Sequence, residues 1–215
     1  RCKLGVSDTR MLFAALPASV SQLRASGNSI GADALRRLAN AGCRLKVLDI
    51  GEDPEEDLDD DDEVYVDFVK PLVGANTEEL GLAEFGQFRP GDVASLVSSC
   101  PGLRKLDVSG CRFRDSGAEP WATLADCCPN MEEIQADRCS CPASALVSLV
   151  GSCPRLGVLI IGDCEGLAGV DRHDGHCWDI LKLGLGTVPD MIAATRLQAE
   201  RLVISWEADE DDIDL

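Results

Sequence analysis

Apolar residues recur along this chain in triplets spaced by three and then two positions. The triplets are Val20-Leu23-Ala25, Leu45-Leu48-Ile50, Leu103-Leu106-Val108, Met131-Ile134-Ala136 and Leu156-Leu159-Ile161, with Thr77-Leu80-Leu82 as a degenerate member. The last two positions of each lie two residues apart, which is strand spacing, so both side chains point to one side. Successive triplets begin 25, 32, 26, 28 and 25 residues apart, and the long interval holds an acidic insertion after Gly51. Between triplets the period changes. Val93, Leu96, Val97 and Cys100 follow the spacing of one helix face, as do Trp121, Leu124, Ala125 and Cys128, and Leu146, Leu149, Val150 and Cys153. Leu35, Leu38 and Ala39 give a shorter version. The pattern predicts alternating short strands and helices.

Three segments carry the transition from helix to strand: CPGLRKLDVSGC (residues 100–111), CPNMEEIQADRC (128–139) and CPRLGVLIIGDC (153–164). The proline cannot continue a helix and pushes the preceding backbone toward extended geometry. Each Cys-Pro pair therefore marks the last buried position of a helix, just before the next strand. Five residues after the middle of each triplet come Asn28, Asp53, Phe85, Cys111, Cys139 and Cys164, at the turn leaving the strand. An Asn or Cys there satisfies stray backbone groups or packs beneath the turn.

The Cys-Pro-x-Leu-x-x-Leu-x-Val-x-x-Cys unit resembles the cysteine-containing leucine-rich repeat of F-box substrate receptors, and residues 23–39 (LRASGNSIGADALRRLA) resemble the ribonuclease-inhibitor type. The resemblance covers about residues 2–164, and the repeat length agrees with roughly 20–29 residues. It implies an α/β fold: a leucine-rich repeat solenoid, or horseshoe, with a parallel β-sheet on its concave face and helices on its convex face. The repeat domain is expected over residues 1–206, with the acidic insertion at 51–63, an irregular segment at 165–178 and an acidic tail at 207–215. Residues 2–16 read as the helical half of a repeat whose strand is missing, which predicts a longer parent chain. Trp178-Leu181-Leu183 fits either a further strand or part of a helix. Residues 189–200 read as a helix, and 201–205 (RLVIS) as a last strand.

Composition narrows the function classes. The net charge is −18, from 38 Asp and Glu against 20 Lys and Arg. Direct nucleic-acid binding needs a basic patch, so it is not expected; a basic protein partner is. No apolar run reaches the roughly 18 residues of a membrane span, and the first residues do not read as a secretory signal. The eleven cysteines are odd in number and mostly sit at repeat positions. They are expected to be reduced, buried thiols of a cytoplasmic or nuclear protein.

Candidate chemistry is thin. His173, His176 and Cys177, with Cys164 upstream, do not match the spacing of a familiar zinc site and read as an irregular surface loop. Cys139 and Cys141 read as a turn thiol and a helix-start thiol rather than a redox or metal pair. The run DLDDDDE within 51–63 lacks the glycine and the spacing of a calcium loop; it reads as a solvated acidic loop, with an electrostatic dock as its functional version. Gly27–Gly31 is a repeat turn rather than a nucleotide cradle, and a His173–Asp174–Cys177 nucleophile system has no pocket to sit in. No enzyme, cofactor or metal is expected.

The expected function is that of a non-enzymatic interaction module or scaffold. Its contact residues would be the outward positions of the strands: Arg24, Lys46, Asp49, Glu79, Lys105, Asp107, Glu133, Gln135, Val158 and Ile160. The last two, with Val203, form an apolar strip that needs a cover, either residues 165–178 or a partner. Two alternatives stand beside this reading. One is the substrate-recognition part of an F-box-type ubiquitin ligase. The other is a structural subunit of a large assembly or an acidic chaperone-like regulator.

Overall fold

The structure, a computed structural model, describes residues 3–51, 66–85, 88–111, 113, 119–139, 141, 143–160 and 203–205. Seven short strands form one parallel sheet in the order of the chain. They are β1 (Gln22–Arg24), β2 (Val47–Asp49), β3 (Glu79–Gly81), β4 (Lys105–Asp107), β5 (Glu133–Gln135), β6 (Val158–Ile160) and β7 (Val203–Ser205). The register never slips: Leu23, Leu48, Leu80, Leu106, Ile134, Leu159 and Ile204 lie side by side. Backbone pairing continues past the strand ends, where Ala25 N–H donates to Asp49 O at 2.7 Å, Leu82 N–H to Asp107 O at 2.7 Å and Ala136 N–H to Ile160 O at 2.8 Å.

Among the described residues the helices are α1 (Val6–Ala15), α2 (Ala32–Asn40), α3 (Val66–Val69), α4 (Pro90–Ser98), α5 (Glu119–Cys127) and α6 (Ala143–Ser152), with a 3-10 turn at Lys70–Leu72 following α3. Parallel neighbours need a crossover, and helices supply it here. Their apolar faces and the inward strand side chains form one core cluster, which places the helices on one side of the sheet. In α4, Val93, Leu96 and Val97 are all fully buried. Pro90 opens that helix with its φ already set, and Asp92 Oδ2 accepts the Arg89 N–H at 2.9 Å. The short helix and 3-10 turn at 66–72 were not legible in the periodicity. Pro71 splits the segment, and only Val69 and Leu72 reach full burial there. The acidic residues 52–65 lie outside the described residues, as do 161–200 with Trp178, His173, His176 and Cys177, and the tail. The strand expected at 201–205 is present as β7.

The degenerate triplet start, Thr77, is buried without cost to the sheet. Its hydroxyl donates to Leu45 O at 2.7 Å and accepts the Gly74 N–H at 3.0 Å, so no polar group is stranded. Cysteines serve the same end. Cys128 and Cys153 sit directly after α5 and α6, and Cys100 two residues after α4, slightly beyond the helices proper. The Cys128 thiol donates to Cys100 O at 3.4 Å, and the Cys153 thiol to Cys128 O at 3.6 Å. At the strand exits, Cys111 donates to Leu82 O at 3.3 Å and Cys139 to Val108 O at 2.9 Å. Each thiol thus fills space and reaches a carbonyl of the preceding unit. Burial pushes the Cys100 and Cys153 thiols up to about 11 and those of Cys111 and Cys128 to about 12.

Two outcomes follow from this packing. Leu106→Ala should lower stability by about 3 kcal/mol, as for other fully buried leucines, whereas Met11→Ala, at an exposed site, should change it by less than about 0.5 kcal/mol; urea denaturation measures both. At pH 8 about one in a thousand or fewer of the four shifted thiols is ionised. Iodoacetamide should therefore leave Cys100, Cys111, Cys128 and Cys153 unmodified in the native protein and alkylate them in denaturant, read site by site by mass spectrometry. Native labelling of any of the four would contradict the packing.

Candidate functional site

Three residues per strand leave two outward rows on the side of the sheet away from the helices. The first row runs Gln22, Val47, Glu79, Lys105, Glu133, Val158, and the second Arg24, Asp49, Gly81, Asp107, Gln135, Ile160. The second row holds the third residue of each strand rather than its centre. Nine of the ten expected contact residues fall in these rows. Lys46 does not. The register pairs Val47, not Lys46, with Gln22 and Glu79, and Val47 is buried. Lys46 lies one residue before β2 and two before Leu48, whereas the other first-row residues directly precede the middle residue of their triplets, so the triplet spacing itself puts Val47 in the row.

Charged residues on this face mostly pair with one another. Arg24 forms an ion pair with Glu79 that crosses over β2. Lys105 Nζ meets Glu133 Oε2 at 2.7 Å, and Gln135 Nε2 donates to Glu133 Oε1 at 2.8 Å. These bonds, that from Lys105 foremost, hold the Glu133 carboxyl below its ordinary range and raise Lys105. One residue upstream of β2, β3, β4 and β5, and three residues upstream of β6 at Arg155, runs a second ladder of which the expected contact residues include only Lys46. Lys46 meets Glu78 at 3.0 Å, Arg104 meets Glu78 at 3.9 Å and Glu132 at 2.7 Å, and Arg155 meets Glu132 at 2.7 Å. The bond with Arg104 lowers the Glu132 carboxyl and raises the guanidinium. Alternating signs at positions 46, 78, 104, 132 and 155 were the available signal.

Two carboxylates stand apart. Asp49 Oδ2 accepts the Ser26 hydroxyl at 3.1 Å, and Asp107 Oδ1 accepts the Ser109 N–H at 3.0 Å. Neither forms an ion pair with a basic side chain among the described residues. Burial, with Asp49 and Asp137 adding repulsion, pushes the Asp107 carboxyl up against the opposing pull of the Ser109 bond. Between them in the row is Gly81. A Cβ at Gly81 would lie 2.7 Å from Asp49 Oδ1, so the glycine lets the Asp49 side chain lean across β3. The result is a depression of about 160 Å³ over β2–β4, floored at Leu80, Gly81 and Leu106. Seven of the expected residues line it: Arg24, Asp49, Glu79, Lys105, Asp107, Glu133 and Gln135. Val158 and Ile160 lie outside it, partly exposed, beside β7.

The turns after the strands form one rim. Gly27 and Gly110 take φ of +72° and +73°, and the equivalent Glu84 and Arg138 take +61° and +57°. A side chain in this region costs on the order of 1–2 kcal/mol. Glu84 and Arg138 pair with each other across Gly110, where a Cβ would collide with the Glu84 carboxylate.

Cys139 and Cys141 are both fully buried. Among the described residues no group of three or more His, Cys, Asp or Glu is placed to hold a metal ion, and no helix is long and apolar enough to cross a membrane. Compared with known proteins, the chain matches no family model and no curated protein sequence.

The Asp107 environment has a measurable sign. Its raised carboxyl binds a proton more tightly folded than unfolded, so its stabilising contribution is complete below the unfolded value near 3.9 and is lost as pH rises through the folded value. Asp107→Asn keeps an acceptor for the Ser109 N–H. It should raise stability at pH 7 by less than about 1 kcal/mol after solvent screening and give no gain at pH 3. Thermal melts at the two pH values check this; a loss at pH 7 contradicts it.

Proposed function

We propose that the chain is a leucine-rich repeat solenoid acting as a non-enzymatic protein-interaction module, with the sheet as the concave, partner-facing surface. The observation that carries the reading is the pair of in-register outward rows, polar or charged over β1–β5 except at the buried Val47 and at Gly81, on the face that the helices leave uncovered. Rows of this kind, about 4.8 Å apart from strand to strand, offer many weakly specific contacts over a broad area, the binding mode of stacked-repeat proteins. The depression is smaller than the roughly 300–1,000 Å³ of small-ligand sites, which favours a macromolecular surface. The alternating ion pairs hold long side chains in place before binding, and that lowers the ordering cost of association. The net charge of −18 favours a basic partner and speeds its encounter.

Peptide display against the full chain tests the reading. Selected binders should weaken at least about fivefold in Lys105→Ala or Gln135→Ala and remain unchanged in Arg37→Ala or Ser152→Ala on the helical side. Binders that ignore the first pair and depend on the second would place the partner on the helices and overturn the proposal.

A further inference from the structure

Counting charges across the sheet face leaves a remainder. Arg24 is engaged by Glu79 and Lys105 by Glu133, while Asp49 accepts from the Ser26 hydroxyl and Asp107 from Ser109, and neither meets a basic side chain among the described residues. A carboxylate offers about four acceptor sites, so each keeps acceptor sites that the described residues do not fill. The two residues lie one strand apart on either side of β3, on the order of 10 Å between backbones. Asp49 leans inward over Gly81, which shortens the gap between the carboxylates and leaves no side chain of β3 between them. We infer that this depression seats one basic side chain, an arginine guanidinium or a lysine ammonium carried on an extended segment of a protein partner, between Asp107 and the Asp49 carboxylate that covers Gly81. The inference rests on the reading of the sheet face as the partner-binding surface and names the chemistry that surface selects.

Three further observations agree. Asp107 is partly desolvated with no cation to relieve it among the described residues, and its carboxyl is raised, by that burial first; an incoming cation offsets it. A guanidinium presents five donors in a planar fork and can bridge two carboxylates. A bound metal ion would need more converging ligands than the described residues bring together. The lining restricts alternatives: Arg24 and Lys105 are already paired with Glu79 and Glu133, so the charge left over around the depression is that of Asp49 and Asp107, and it disfavours an arriving acidic side chain.

The test uses synthetic nonapeptides with randomised flanks and Arg, Lys, Gln or Glu fixed at the centre, titrated against the full chain. The Arg and Lys series should bind about tenfold tighter than the Gln series, and the Glu series weakest. In the Asp49→Asn/Asp107→Asn double variant the preference should vanish, the Arg and Lys series binding no tighter than the Gln series does to that same variant. Gly81→Ala, which displaces Asp49, should reduce it independently, and serves alone if the double variant does not fold. A basic preference that survives both changes belongs to the overall negative charge and sinks the seat. So does wild-type binding without any preference while Lys105→Ala still weakens the Gln series, an outcome that leaves the binding face standing. Peptides insensitive to every sheet-face variant remove both.

Discussion

The side-by-side stacking of one apolar residue per strand, from Leu23 through Leu159, governs the rest of the structure. A three-residue strand has too little surface to form a stable pair alone. It becomes stable when its inward side chain is enclosed by the strands on both sides and by helices beneath. Leu48, Leu80, Leu106 and Ile134 have two neighbours and are fully buried, whereas Leu23 of the first strand is only partly buried. The same rule applies to Val20 and Ala25, which pack against the core without being enclosed by it. Each unit thus completes the next, and the parallel register follows because a shift by one residue would turn every leucine outward.

Stacking at this pitch forces a helix end and a strand start into a few residues, and that junction is full of unpaired carbonyls. Cysteine suits the place because it is small, tolerates full burial and carries a weak donor. The Cys100–Cys128–Cys153 series and the Cys111–Cys139 series each pass thiol to carbonyl from unit to unit. Where a unit lacks cysteine, the Thr77 hydroxyl does the same with a stronger bond. These thiols are structural because desolvation disfavours the thiolate that chemistry would need.

On the outward face the constraint works in reverse. Positions that the register aligns cannot escape one another, so charges there must alternate or repel. Most do alternate, which leaves Asp49 and Asp107 conspicuous as carboxylates without a counter-charge among the described residues. Gly81 and the left-handed Glu84–Arg138 pair belong to the same region of the sheet. Unrelieved charge and backbone strain are tolerated where something other than stability selects them.

The strands, their order and the helix faces were readable because a period of two switching to a period of 3.6 is a local property of the chain. β1 to β6 fall within the triplets, and Val93, Leu96, Val97, Trp121 and Leu124 are buried as their spacing implies. The candidate face was legible for the same reason: alternation decides which residues point outward once the inward ones are known. The Lys46 expectation missed by one residue an outward position that the Leu45-Leu48-Ile50 spacing already puts at Val47; what sequence could not supply was the pairing of charges two strands apart, as in Arg24 with Glu79. The 66–72 helical turn escaped because its burial depends on neighbours rather than on its own period. In this protein the sequence by itself determined each unit, since strand and helix preferences act between residues a few positions apart. Only the tertiary structure decided which carboxylates were left alone, because charge compensation depends on distances that stacking, not chain order, creates.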